Sequence, residues 1–149
     1  MTEDVITAVT TVAVNGARAI VQRSAEQVLP TFILVTDNEQ FEIVGWGLDE
    51  SPSRDEDTLI ELLRERHAAV AAYICEISLV ISDDKSGDLR AGDGVCLIVA
   101  TPETSVQKIF VIDRSKRMGS RKRFMQYPGD DMGGLDHSWL QRALQAVAS

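Results

Sequence analysis

The chain has 149 residues, 44% hydrophobic and 26% charged, with fifteen Lys and Arg against twenty-three Asp and Glu for a net charge of −8. That length suits one domain spanning 1–149, which can bury roughly 68–70% of its unfolded surface without a disulfide or metal staple. The hydrophobicity excludes a disordered chain, no apolar run approaches the ~20 residues of a membrane span, and the opening MTEDV lacks the basic and apolar regions of a secretory signal.

Taken in chain order, Glu3 to Gln27 carries small or apolar residues at Val5, Val9, Val12, Gly16 and Ala19, with Arg23 next in the spacing, as on one helical face. The many β-branched residues at its start and the Asn15-Gly16 pair oppose this, so a β-hairpin is the alternative there. Pro30 ends the segment. Thr31–Thr36 and Phe41–Gly47 read as an antiparallel hairpin about the turn NEQ. Trp46, between two glycines, has room to lie across a neighbouring backbone.

SPSRDEDTLIELLRERHAAV predicts a helix with a Ser53–Glu56 capping box. Its acids sit at the start and Arg64, Arg66 and His67 near the end, which complements the helix dipole. Ala72 to Ser82 reads as a strand with Tyr73, Cys75, Ile77, Leu79 and Ile81 on its apolar face. The polar DDKSGDLRAGDG reads as a loop. VCLIVAT, then Val106 to Asp113, then RFMQY read as further strands, and LDHSWLQRALQAVAS closes the chain as a helix with Asp136 as N-cap. The expected fold is α+β: a largely antiparallel sheet of five to six strands with an N-terminal, a central and a C-terminal helix, the helices packed on one face.

Catalytic and phosphate-binding signatures are missing. There is no GxxxxGK[ST], HExxH, CxxC or GxSxG. Cys75 and Cys96 lie in apolar strands without zinc-ligand spacing, so they read as buried thiols of a reducing, cytoplasmic compartment, with no metal or cofactor implied. Glu76 interrupts an apolar strand. If its face is buried it is a candidate general acid or base, with Glu42 or His67 as neighbours; if open, it is the wet half of the sheet. A magnesium nuclease core would need an acid where Val106 precedes Lys108.

RSKRMGSRKRF concentrates six cations: Arg114, Lys116, Arg117, Arg121, Lys122 and Arg123. Such a stretch can grip a phosphate backbone, with Phe124 and Tyr127 nearby for stacking. Set apart, it leaves −14 on the rest of the chain, a field that repels polyanions. A charged connection that meets acids such as Asp83 or Asp130 is the competing reading.

From LPTFILV through AAYICEISLVI the chain resembles a set of small bacterial α+β proteins of unknown function, through Pro30, Phe32, Val35, Tyr73 and Glu76. The resemblance covers the middle third and implies no activity. The combined expectation is a non-enzymatic interaction module that self-associates as a homodimer or binds a protein partner, its contacts drawn from the Trp46 and Trp139 regions and the sheet edges. Nucleic-acid binding through Arg114–Arg123 is the first alternative, and a hydrolase-type enzyme centred on Glu76 the second.

Overall fold

The structure, a computed structural model, describes residues 3–23, 28–82, 87, 89–113, 123–126 and 137–149. Helix α1 (Glu3–Arg23) precedes strands β1 (Thr31–Thr36) and β2 (Phe41–Gly45). A 3₁₀ turn (Pro52–Arg54) leads into α2 (Glu56–Glu65), then β3 (Ala68–Ser82), β4 (Leu89–Ala100), β5 (Ser105–Asp113), β6 (Arg123–Gln126) and α3 (Trp139–Ala148). Among the described residues the strands form one six-stranded sheet in the order β2-β1-β3-β4-β5-β6. Every neighbouring pair is antiparallel. The α+β class and its three helices are as the sequence predicts.

The helices lie on both faces of the sheet, not on one. Phe32, Leu34, Tyr73 and Ile98 pack with Leu59 and Leu63 of α2 and with Trp139, Leu140 and Leu144 of α3. Ile33, Val35, Val70, Leu97 and Val99 point the other way and pack against Val9, Ala13, Ala17 and Val21 of α1. The runs FILV and VCLIV are apolar at both parities, and strands of that kind are stable only when both faces are covered. A row of aromatic rings crosses the first of these faces. Trp46 meets Phe32 edge-on at 5.9 Å, Phe32 meets its cross-strand partner Tyr73 at 4.9 Å, and Tyr73 meets Trp139 at 5.2 Å.

Local details depart from expectation where tertiary contacts override short patterns. Asp55, not Ser53, caps α2, its carboxylate accepting from the Thr58 N–H at 3.3 Å, while Ser51 caps the preceding 3₁₀ turn. His67 takes a left-handed conformation, φ 53°, and ends α2 early. Its N–H donates to the Arg64 carbonyl and its own carbonyl accepts from the Asp37 N–H. The chain therefore turns into β3 at Ala68, four residues before the expected strand, because Ala68, Val70 and Ala71 find partners on β1. The expected loop after β3 is shorter than predicted, since Leu89–Gly94 join β4 opposite Ile77–Ser82. Asp136 lies outside the described residues.

Helix α1 is continuous, so the hairpin alternative for its start is excluded. Its buried stripe runs Val9, Ala13, Ala17, Val21, while Val12 and Gly16 of the expected stripe are exposed beside it. Alanines at the contact let the helix axis approach the sheet closely. Contrary to the expectation from apolar runs, Glu3–Gln22 is long and apolar enough to cross a membrane, a property that a helix lying on a sheet shares.

Candidate functional site

The acid and base candidates do not assemble. Glu42 lies on β2 opposite Leu34, on the α2–α3 face, and its carboxylate accepts from Arg66 Nη1 at 3.3 Å. Those side chains are 35% and 45% exposed, and an ion pair so placed contributes at most about 1 kcal/mol. Glu76 shares the parity of Val70, Ala72 and Ile74, which puts it on the α1 face. It lies five residues along β3 from Ala71, the residue level with Glu42, or roughly 17 Å. His67 precedes β3 altogether. The grouping of Glu42 or His67 with Glu76 is thus corrected: β1 lies between β2 and β3, and alternation and strand length separate the side chains further.

Trp46 is corrected as a contact residue. It is 7% exposed, and its Nε1–H donates to the Glu50 carbonyl at 2.7 Å. Trp139 is likewise buried beside Tyr73. His137 fastens α3 to β5. Ser105 Oγ donates to the His137 carbonyl at 2.8 Å and lies 2.8 Å from Nδ1. A hydroxyl has one proton to give, so Nδ1 is the protonated nitrogen of that ring. Arg114, Lys116, Arg117, Arg121 and Lys122 lie outside the described residues; the backbone of Arg123 pairs with Asp113 at the β6 edge.

Cys75 and Cys96 are direct cross-strand partners and both are free thiols. Burial pushes the Cys96 thiol up to about 11, against a smaller opposing effect from the Gln107 amide, which donates to Sγ at 3.4 Å. Burial also raises Cys75, and it raises Tyr73, whose hydroxyl sits against the Cys75 thiol. Cys96 is buried, as the sequence predicts, whereas Cys75 is half-buried, and burial disfavours the thiolate at both.

Two surface features among the described residues bear on function. At one end of the sheet a cavity of about 770 Å³ opens between the start of α1, the end of α3 and the turns before β3 and after β4. Ile6, Leu144 and Val147 line it, with Asp37, Arg64 and Glu103 as charged groups and His67 beside them. Charges of both signs border it, and Glu76 does not.

The second feature is the β2 edge. The Trp46 N–H donates to the Pro30 carbonyl and the Thr36 N–H to the Gln40 carbonyl. Hydrogen-bonded pairs alternate in an antiparallel ladder, so Glu42 and Val44 turn their backbone groups toward β1. Those of Phe41, Ile43 and Gly45 point away from it. No described residue pairs with them. The side chains of the same residues lie on the α1 face, where Phe41 is 48% and Ile43 72% exposed. Beside them an apolar groove of about 200 Å³ runs between α1 and the first two strands, lined by Val12, Gly16, Ile20, Thr31, Ile33 and Ile43 among others. Sequence reasoning named sheet edges in general as contact surfaces but not this one. The available signal was FEIVG, whose Phe41 and Ile43 occupy the parity that an outer strand leaves bare. The chain matches no known protein-family model, no curated protein and no solved structure.

Proposed function

We propose that the protein is an interaction module that self-associates, with the open β2 edge as its contact surface. One observation carries the reading. A row of backbone donors and acceptors that no described residue pairs with coincides with exposed Phe41 and Ile43 on an edge strand. Edge strands of folded proteins are ordinarily shielded by charge, proline or a bulge. Here the outward positions of β2 carry none of these, and its one acid, Glu42, is turned to the other face and held by Arg66. A bare apolar edge of this kind is a template for strand addition, where backbone bonds supply affinity and side chains supply selectivity.

Sedimentation velocity over a range of concentrations tests the reading. The wild type sediments as a dimer, and Ile43→Lys sediments as a monomer with an unchanged circular-dichroism spectrum, because the new cation sits where two edges meet. A wild type that stays monomeric at the highest soluble concentration overturns it.

A further inference from the structure

We infer that two copies join through β2 in a single register, with a two-fold axis at Ile43 and the Phe41 ring of each copy seated across the partner's Gly45 at the mouth of the groove. The inference rests on the self-association proposed above and adds the geometry of that contact.

Symmetry restricts the choice first. A closed dimer is isologous, so the same surface patch meets itself. Two β2 strands related by a two-fold axis normal to the sheet run antiparallel. Backbone direction restricts it further, because only Phe41, Ile43 and Gly45 point outward, so each must pair with one of the same three. Centring the axis on Ile43 opposes Ile43 with its symmetry mate and Phe41 with the partner's Gly45. Each opposed pair then exchanges two backbone hydrogen bonds. Moving the axis by one residue toward Phe41 would leave Gly45 opposite Glu39, which is in a left-handed turn at φ 60°. Moving it the other way would leave Phe41 opposite Gly47, beyond the strand and past Trp46, which folds into the core. Only the central register uses all three residues.

Side chains favour the same register. Gly45 has open space where a Cβ would project, with no heavy atom within 4 Å. A ring from the partner can therefore lie flat over it, and an aromatic side chain covering a cross-strand glycine is a recurrent stabilising device in sheets. Gly45 faces Thr31 across the β1–β2 ladder, and Thr31 lines the groove. A ring over Gly45 therefore enters the groove between Val12, Gly16 and Ile20 of α1. The two grooves lie on the same face of the joined sheet, one on each side of the axis. A five-residue ribbon by itself falls short of the roughly 1,000 Å² that a stable interface needs, and filling both grooves supplies further apolar contact.

Two variants and a cross-link test the register. A Cβ at Gly45 meets no atom within 4 Å beyond its chain neighbours and valine suits a strand, so Gly45→Val leaves the fold intact while closing the seat of the ring. The expected result is a dimer weakened roughly 10- to 100-fold in Gly45→Val, and similarly in Phe41→Ala. A mixture of Phe41→Cys and Gly45→Cys chains gives a 41-to-45 cross-link by mass spectrometry that neither chain gives alone. If the wild type dimerises and Ile43→Lys abolishes it, but Gly45→Val associates as tightly as wild type or the cross-link is missing, the register is wrong while self-association stands. A wild-type monomer, or a dimer indifferent to Ile43→Lys, overturns both.

Discussion

The two faces of the sheet are built differently. Two helices, α2 and α3, cover one face and enclose a row of four aromatic rings, and Trp46 folds back to close its β2 end. Among the described residues the other face has α1 alone, packed through Val9, Ala13, Ala17 and Val21. The outer strand axes of a six-stranded sheet are roughly 24 Å apart, at about 4.8 Å per neighbour. A single helix is about 10 Å across. Helix α1 packs against β1, β3, β4 and the far edge strand β6 and leaves the β2 flank open, where Phe41, Ile43 and the groove lie. The uncovered surface thus follows from the number of helices on that face, not from any loop inserted for the purpose.

The largest expected effect contrasts the faces directly. Phe32→Ala, at the centre of the aromatic row, lowers the unfolding free energy by about 3–5 kcal/mol in urea denaturation, through lost burial and a residual cavity. Ile43→Ala on the open flank changes it by no more than about 0.5 kcal/mol at concentrations where the chain is monomeric. Equal effects would mean that the flank is covered in solution.

Gly94→Ala probes how tightly the covered side closes beyond the helices. A Cβ there would lie 2.5 Å from Leu79 Cδ1 and 2.8 Å from the Phe110 carbonyl oxygen. Leu79 can rotate but the backbone carbonyl cannot, so a loss of roughly 1–3 kcal/mol is expected by thermal or urea unfolding. An unchanged midpoint would show that the β3–β4 ladder relaxes there.

The buried thiol links the same face to pH. Cys96 is raised from 9.0 to about 11, so between those values the unfolded chain releases a proton that the folded chain holds. Its contribution is fully present below about 9 and is lost as pH rises to about 11, on the order of 2 kcal/mol. Burial of Cys75 and Tyr73 adds in the same direction. Unfolding midpoints measured from pH 8 to pH 11 should fall for the wild type and fall less for Cys96→Ala. Parallel curves would remove Cys96 as the cause.

The smallest effect is a gain. His67 holds a left-handed conformation at the end of α2, where glycine carries no Cβ penalty. His67→Gly should raise stability by about 1 kcal/mol. A loss instead would mean that the imidazole makes a contact worth more than the strain it relieves.

How far each part was legible follows the range of the interaction that decides it. The β1–β2 hairpin, the three helices and the antiparallel order were readable because each rests on local patterns: apolar alternation, 3.6-residue spacing and short turns. The end of α2 was not, because Ala68 to Val70 are acceptable in a helix and become a strand only through β1. The cap at Asp55 was missed because a 3₁₀ turn already engages Ser51 and Ser53. The contact surface was half legible. FEIVG showed which residues share a face, but whether that face was roofed depended on where α1 came to rest.

By itself, then, the sequence determined the elements and their parity: FILV and VCLIV required cover on both sides, and Phe41, Ile43 and Gly45 were bound to share one face. Tertiary structure alone decided which helix covers which face, that Trp46 turns inward, that Glu42 and Glu76 lie on opposite sides, and that β2 is an outer strand. The reason is physical. Parity and propensity are set within a few residues of backbone, whereas the covering of a sheet depends on its total width against the helices available to span it.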